Sequence, residues 1–135
     1  MLFGQEHVER YIETDGQEGH EWKPGVHTLL LTTTGRQSGR RVTTPLIYVR
    51  DGDDYLVVAS KGGADTHPHW YRNLDADSRV TIRVGSQVMD ATAATVDEDR
   101  RDRVWPSLTS VWPDFDDYVA STDRTIPVVA LSPHG

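Results

Sequence analysis

A basic turn carries the groups best suited to binding an anion. The segment TTTGRQSGRR, residues 32–41, follows an apolar run and has a glycine on either side of Arg36, Gln37 and Ser38. Backbone N–H groups, hydroxyls and guanidinium groups that converge at such a turn can bind a phosphate or a carboxylate. The Gly-Lys-[Ser/Thr] ending of a nucleotide-binding P-loop is absent. The turn therefore predicts an anion site, with a solvated basic hairpin tip as the alternative.

A second candidate follows a predicted strand, where the sequence ASKGG covers residues 59–63. Ser60 and Lys61 place a hydroxyl and an ammonium group at the end of that strand, and the two glycines allow a ligand to approach the backbone closely. No Gly-x-Ser-x-Gly elbow surrounds the serine, and no general base lies at a fixed spacing from it. We therefore expect Ser60 to donate a hydrogen bond to a ligand and not to act as a hydrolase nucleophile.

Histidines and aromatic residues lie close together in the segment HPHWYRN, residues 67–73. His-x-His can bind a metal ion from a strand, but the intervening proline and helical spacing would turn these two imidazoles apart, so we expect no metal site. On a short helix, Trp70, Tyr71 and Asn73 could wall a flat aromatic ligand. The alternative is that Trp70 and Leu74, four residues apart, simply pack in the core.

Three more aromatic residues, Trp112, Phe115 and Tyr118, recur at positions i, i+3 and i+6. This spacing places them on one face of one predicted helix. Such a stripe is typical of a helix that packs on the core, and an aromatic lid over a pocket is the alternative.

Charge is distributed unevenly along the 135 residues. Fourteen lysines and arginines against 21 acidic residues give a net charge of −7. The window from Trp22 to Arg50 has five basic residues and no acidic one, so it carries +5 and the rest of the chain −12. An acidic chain argues against nucleic-acid binding, while a local cationic patch favours a small anionic ligand or a salt-bridged surface. The absence of cysteine excludes disulfides and thiolate metal sites.

Neither a signal peptide nor a membrane span is expected. Residues 1–23 are polar and acid-rich, and no apolar run reaches the roughly 18–20 residues that span a bilayer. We therefore expect a cytoplasmic protein without stable membrane insertion.

These candidates need elements that bring them together, and the hydrophobic pattern predicts about six strands and three to four helices. Hairpin signals at residues 51–52 and 85–86 indicate antiparallel pairing. No βαβ rhythm or Gly-x-Gly-x-x-Gly fingerprint occurs, so a Rossmann nucleotide site is not expected. The fold class is mainly β with peripheral helices (α+β), closed into a barrel without exposed edges. We expect a single domain, with a helix and loop over 1–26 and the barrel over 27–135.

Element bounds follow from the apolar pattern and from the turn residues. Thr66 would cap the second helix and Asp97 the third, and Pro106 would kink or restart the latter. Pro45 marks an edge, a bulge or a bend in the second strand. The predicted strands are 27–34, 42–50, 55–60, 79–84, 87–96 and 126–131; the predicted helices are 5–13, 67–74 and one that begins at Glu98, with a loop over 14–25.

Four segments in this order resemble the deazaflavin-dependent nitroreductase family: TDGQEGHEWKPG, LLLTTTGRQSGRRVTTPL, LVVASKGGADTHPHWYRNL and TDRTIPVV. The resemblance extends from about Thr14 to Leu131. It implies a split β-barrel of the FMN-binding type and an enzyme that uses coenzyme F420, an 8-hydroxy-5-deazaflavin with a phosphate and an oligoglutamate tail. The reduced coenzyme, F420H2, would pass a hydride to an electron-poor acceptor such as a quinone, an enone or a nitroaromatic.

The resemblance also implies roles for the matching residues. Those on the basic turn and the following strand would bind the cofactor: Arg36, Gln37, Ser38, Gly39, Arg41, Val42, Thr43, Thr44, Pro45, Leu46 and Ile47. The next strand end and the short helix would do the same: Val58, Ala59, Ser60, Lys61, His69, Trp70, Tyr71, Arg72 and Asn73. The substrate pocket would be lined by Trp112, Phe115 and Tyr118. Ser60 would orient the ring or the acceptor, and Tyr118 would protonate the product, which makes these two the candidate catalytic residues.

The sequence departs from the family pattern in three regions. Val42 stands where many relatives have an arginine, and Asp65 and Thr66 stand where a lysine is usual before His-Pro, which predicts weaker binding of a long glutamate tail. Trp112 and Phe115 lack the phenolic hydroxyls of relatives that carry three tyrosines. A proton relay through three tyrosines is therefore not expected.

Two other functions are alternatives: a non-catalytic protein that binds or carries F420, and an FMN-dependent split-barrel enzyme. A carrier would bind F420H2 without speeding its oxidation. FMN has one phosphate and no glutamates, so its binding would respond less to salt. The expected partners are a small-molecule hydride acceptor and no nucleic acid, for a monomer or homodimer that is cytoplasmic, with or without peripheral contact with the membrane.

Overall fold

A computed structural model describes residues 2–134, so Met1 and Gly135, the end residues of the expected domain ranges, lie outside the described residues. The helices are α1 (Gly4–Glu13), α2 (His69–Ala76), α3 (Glu98–Val111) and α4 (Asp114–Ala120), and a 3-10 turn covers Lys61–Gly63. The strands are β1 (Glu21–Lys23), β2 (Val26–Thr34), β3 (Arg41–Ile47), β4 (Val49–Asp51), β5 (Asp54–Val58), β6 (Arg79–Val84), β7 (Gln87–Thr95) and β8 (Val128–Pro133). Within this described part, no helix is long and apolar enough to cross a membrane.

The strands form one curled antiparallel sheet. Strands β1, β2, β6, β7, β8, β5 and β4 are hydrogen-bonded in that order, and β3 pairs with β2. Only Tyr48 separates β3 from β4. Because β3 pairs with β2 and β4 pairs with β5, the continuous chain of β3 and β4 links β2 to β5 and closes a ring, to which β1 is added beside β2. The expected mainly β, barrel-like fold with peripheral helices is confirmed.

The bend in the ring explains where the predicted strand over 42–50 is interrupted. Pro45 lies inside β3, opposite Leu30 of β2. In the described residues β3 pairs with β2 alone, so a residue without an N–H group is tolerated at this edge. The strand breaks instead at Tyr48, where the chain leaves β2 and turns to β5.

Apolar residues fill both faces of the sheet. The inner face of the barrel is filled by side chains from β2, β5, β6, β7, β8 and α2: Leu29, Leu31, Tyr55, Val57, Ala59, Trp70, Leu74, Val80, Ile82, Ala91, Ala93, Val129 and Leu131. Helices α3 and α4 cover the other face of β5 and β8 through Leu56, Val58, Val104, Leu108, Phe115, Ile126, Val128 and Ala130. The alternation of sides along β5 and β8 is the two-residue period of a strand that is buried on both faces.

Helix α1 packs on the outer face of β2 through Val8 and Tyr11, which contact Leu30. The fully buried Tyr11 hydroxyl donates to the carbonyl of Thr28 at 3.0 Å and accepts from the amide of Gly85 at 2.7 Å. The hydroxyl therefore ties α1 to β2 and to the turn between β6 and β7. The helix predicted over 5–13 is confirmed and begins one residue earlier.

Two local predictions were wrong. The predicted loop over 14–25 contains β1, which pairs with the start of β2. Helix α2 begins at His69 with Pro68 at its N-cap position, so Thr66 does not cap it. Helix α3 continues through Pro106 as far as Val111, so it does not restart there, and a kink at this proline stays a prediction. Its predicted cap is confirmed, because the Asp97 carboxylate accepts from the Arg100 amide at 2.8 Å.

Candidate functional site

A cavity of about 400 Å3 lies between α1 on one side and α3 and α4 on the other. Pro45 and Ile47 contribute to it from β3, and they lie opposite Leu30 and Thr28, on the strand face that α1 covers. This part of the cavity wall is therefore on the outside of the barrel, whereas Leu46 and Trp70 line the cavity from the side of the inner cluster. Its lining residues are Leu2, Phe3, Gly4, His7, Trp22, Thr28, Pro45, Leu46, Ile47, Val58, Ser60, Lys61, Pro68, Trp70, Trp112, Phe115 and Tyr118.

Trp22 and Trp112 connect the two helical layers along one wall of the cavity. Their ring centres are 5.6 Å apart, and the Lys23 ammonium lies 5.1 Å from the first ring and 4.9 Å from the second. A cation over two indole faces is attracted to both. The Trp22 Nε1–H also donates to the carbonyl of Leu2 at 2.8 Å. This wall therefore joins the N-terminal segment, β1 and the end of α3.

Ser60 and Lys61 reach the cavity from the end of β5. Lys61 has φ = 46°, in the left-handed region that few non-glycine residues adopt and that is enriched at functional sites. Its ammonium donates to the Thr66 hydroxyl at 3.1 Å. The unusual backbone of Lys61 turns the chain from β5 into the 3-10 turn, with the half-buried Ser60 at the cavity wall.

The three aromatic residues at positions 112, 115 and 118 meet at the cavity, but not on one helix. Trp112 follows the last residue of α3, whereas Phe115 and Tyr118 lie on α4, so the prediction of a single helix was wrong. The helix ends before Pro113 because a proline disfavours the helical conformation of the preceding residue. The Tyr118 hydroxyl accepts from Trp112 Nε1 at 3.4 Å, which leaves the hydroxyl proton for a ligand.

Arg36 on the basic turn docks on α2. Its backbone N–H and its Nη1 both donate to the Asn73 Oδ1, at 3.2 and 2.8 Å. Its Nη2 lies 3.3 Å from His69 Nδ1, which must accept because a guanidinium has no acceptor atom. The buried Asn73 amide donates in turn to the Thr33 hydroxyl at 3.3 Å. Asn73 therefore fixes the orientation of the turn relative to β2.

Arg41 extends in a different direction, over β2 to β6. It donates to the hydroxyls of Thr34 at 2.8 Å and Thr81 at 2.7 Å. Across residues 2–134, neither Arg36 nor Arg41 belongs to an ion pair. Both guanidinium groups therefore bond to neutral partners, although Arg79 and, more weakly, the Arg41 charge lower the pKa of Asp77. The two guanidinium groups lie at different places on the surface, because Arg36 bonds to α2 and Arg41 extends to β6.

The predicted site residues divide into two groups. The residues that line the cavity are Pro45, Leu46, Ile47, Val58, Ser60, Lys61, Trp70, Trp112, Phe115 and Tyr118. The remaining predicted residues lie outside its lining, on the turn, along β3, directly after β5 and on α2: Arg36, Gln37, Ser38, Gly39, Arg41, Val42, Thr43, Thr44, Ala59, His69, Tyr71, Arg72 and Asn73. The cavity and the basic turn that contains Arg36 are thus neighbouring regions, which β3 joins.

Sequence reasoning missed the N-terminal wall of the cavity. Leu2, Phe3 and Gly4 have no motif that identifies them, and His7 lies on a helix that appeared merely polar. His7 is buried, and burial lowers its pKa; its Nε2 lies 3.1 Å from both the Gly19 carbonyl and the Thr28 hydroxyl. The one available signal was Trp22, a large apolar residue within a segment otherwise rich in glycine and charge.

Asp65 and Thr66, which depart from the family pattern, make contacts inside the protein. Asp65 accepts from the Thr122 hydroxyl at 2.8 Å, and Thr66 accepts from Lys61. These two residues therefore brace the loop between β5 and α2.

Comparisons with known proteins agree with this arrangement. Residues 3–133 match the family model described as F420H(2)-dependent quinone reductase. The chain is 41% identical over 125 residues to an F420H(2)-dependent quinone reductase of Mycobacterium tuberculosis, which covers 90% of this chain and 84% of the relative. A solved structure titled as an F420-H2 dependent reductase superimposes with a TM-score of 0.72 at 37% identity, covering 78% of this chain and 93% of that one.

A second solved structure, titled a domain-swapped dimer, has a TM-score of 0.74 at 36% identity and covers 95% of this chain and 96% of its own. The match of the family model over nearly all of the described residues shows that the chain belongs to the F420H(2)-dependent quinone reductase family. The expected split-barrel family is therefore confirmed.

Proposed function

We propose that the protein is a reductase that uses F420H2 and passes a hydride to a quinone. One observation carries this proposal: β3 joins the apolar cavity to two arginines, Arg36 and Arg41, that form no ion pair among the described residues. A planar deazaflavin ring requires an apolar slot, and its phosphate and glutamate tail require cations. The residues present therefore fit coenzyme F420.

In this proposal, the apolar wall formed by Pro45, Leu46 and Ile47 binds the ring, and Arg36 and Arg41 bind the anionic part. Bound F420H2 supplies the hydride. The indoles of Trp22 and Trp112 exclude water from the acceptor. Reduction of a quinone to a hydroquinone adds one hydride and one proton to the quinone.

The proton can come from Tyr118. Its oxygen accepts from Trp112 Nε1, so the phenolic O–H is directed away from that partner and is available to a quinone oxygen. Ser60, which also lines the cavity, orients the ring or the acceptor by a hydrogen bond. General-acid assistance typically contributes about 10²–10⁴-fold to a rate.

The first experiment is a fluorescence titration of the purified protein with F420, with FMN in parallel. We expect saturable binding of F420 that weakens as salt is raised, because exposed charges are screened beyond roughly 10 Å at 0.1 M salt. Arg36→Met should raise the Kd for F420 about tenfold, the effect of losing one charge-assisted hydrogen bond. Arg103→Met is the matched control, because Arg103 is 62% exposed and its partner Asp51 keeps the ion pair with Arg100.

Turnover distinguishes the reductase from a carrier. F420H2 should be oxidised faster when a water-soluble quinone and the protein are both present, and Tyr118→Phe should slow this step while the Kd for F420 is unchanged. Binding of F420 without accelerated oxidation would support the carrier instead. A preference for FMN would overturn the assignment of the cofactor.

We also infer that the protein forms a homodimer in its working state. The inference is supported by the similar structure titled a domain-swapped dimer. Light scattering on the purified chain tests it, with a mass of twice 15.2 kDa expected and 15.2 kDa as the result that contradicts it. The cytoplasmic location stays a prediction, to be tested by cell fractionation.

A further inference from the structure

Arg124 holds the loop between β5 and α2 from outside the cavity. Its guanidinium donates to three backbone carbonyls of that loop: Nη1 to Ala59 at 3.2 Å, Nη2 to Ser60 at 2.7 Å and Nε to Ala64 at 2.6 Å. Nη1 also lies 3.0 Å from His67 Nδ1, which accepts because arginine only donates. One side chain thus makes four hydrogen bonds to one loop.

The shape of the guanidinium suits this task. Its donors lie in one rigid plane, so three carbonyls that bond to it must keep fixed directions relative to one another. Lysine offers a single ammonium and cannot reproduce that arrangement. The loop needs such support because Lys61 adopts a left-handed backbone conformation, which persists only where the surroundings enforce it.

Arg124 belongs to a short segment that ties the same loop to α4. The Ser121 hydroxyl lies 3.3 Å from the carbonyl of Gly63, and the Thr122 hydroxyl donates to Asp65. We call residues 121–124 the clasp. Because the clasp directly follows α4, it fixes the Ser60 side of the cavity relative to the Tyr118 side.

We propose that Arg124 is a positioning residue, which holds Ser60 and Lys61 in the orientation that the cofactor site requires. The residue does not line the cavity, so it acts through the loop backbone and not by contact with a ligand. This proposal deepens the proposed function and rests on it for the effect on binding. The effect on the loop itself is independent of any ligand.

The test compares Arg124→Met, Arg124→Lys and the exposed control Arg103→Met. Hydrogen exchange of the amides in residues 60–67, without ligand, should be at least about tenfold faster in both Arg124 variants, since each loses several hydrogen bonds. The Kd for F420 should rise by about the same factor. Millimolar guanidinium should restore much of the affinity of Arg124→Met, because it can occupy the vacated space and bond the same carbonyls.

The outcomes separate this proposal from the proposed function. Unchanged exchange of residues 60–67 in folded Arg124→Met would overturn the positioning role. Full restoration of exchange and affinity by lysine would also overturn it, because a charge alone would then suffice. Faster exchange in a protein whose wild type does not bind F420 would support the role in the loop and refute the cofactor assignment. If Arg124→Met does not fold, Arg124→Lys decides by the same measurements.

Discussion

Replacing Gly63 by alanine should separate the two walls of the cavity. Gly63 lies in the 3-10 turn with φ = 81°, and it packs against α4. An added Cβ would overlap the Ser121 hydroxyl oxygen and lie 3.0 Å from both the Cα and the carbonyl oxygen of Tyr118. The serine side chain can rotate away, but the Tyr118 backbone cannot yield unless α4 moves. The loop or the helix must therefore shift.

Two effects contribute to the loss of unfolding free energy in Gly63→Ala. A left-handed φ costs an alanine about 1–2 kcal/mol relative to glycine, and overpacking against a fixed backbone costs about 1–3 kcal/mol. Gly25 isolates the first part, because its φ is 77° and no atom lies within 4 Å of a Cβ placed there. We expect Gly63→Ala to lower the free energy of unfolding by about 3 kcal/mol and Gly25→Ala by about 1 kcal/mol.

Urea unfolding of both variants measures the difference, and an F420 titration shows whether the displaced loop still binds. We expect Gly63→Ala to bind more weakly than Gly25→Ala. Adding Ser121→Ala to Gly63→Ala should recover little stability, because the contact with the Tyr118 backbone persists. Equal unfolding free energies for Gly63→Ala and Gly25→Ala would refute the close packing of the loop on α4.

Two further predictions concern α1 and His67. Tyr11→Phe should destabilise the protein by about 1–2 kcal/mol, because it leaves the part-buried Gly85 amide without its acceptor. A melting curve should shift down by several degrees, with Ile12→Ala as an exposed control on the same helix. Burial and the nearby Arg124 and Arg72 charges lower the pKa of His67 below 6.5, with Asp75 opposing them. As the pH falls, His67 is therefore protonated in the unfolded chain before it is protonated in the folded protein. The free energy of unfolding is retained above pH 6.5 and falls as the pH is lowered from 6.5 through the folded-state pKa. Urea unfolding should show a smaller drop in this free energy between pH 7.5 and 5.5 for His67→Gln than for the wild type.

The strand framework could be predicted because its signals are local. The apolar run at 27–34, the hairpin signals at 51–52 and 85–86 and the Asp97 cap each depend on a few neighbouring residues. The short strand β1 could not be found in this way, because its three residues have no alternating pattern and are fixed by pairing with β2. Likewise, Pro106 is compatible with α3 because residues beyond the helix, and not local propensity, decide whether it continues.

The cavity could be predicted only in part, because its walls come from segments far apart in the chain. The ASKGG segment and the three aromatic residues carried recognisable chemistry, as did the basic turn that precedes β3. His7 and Phe3 carried none, and they reach the cavity because Tyr11 ties α1 to the barrel. The Tyr11 hydroxyl and the Gly85 amide are 74 residues apart in the chain, and neither segment has a sequence pattern that predicts their hydrogen bond.

Strand alternation, by contrast, does determine how the two arginines are used. Arg41 lies on the β3 face shared with Thr43 and Pro45, and its guanidinium crosses Thr34 to reach Thr81, while Arg36 precedes the strand and bonds to α2. Arg36 and Arg41 therefore cannot both bind the same phosphate unless the turn rearranges. An extended anion with charges at several positions meets this geometry better than a compact one, because it can reach Arg36 and Arg41 in succession. This is the physical reason to expect F420, with its phosphate and glutamates, to bind in preference to FMN.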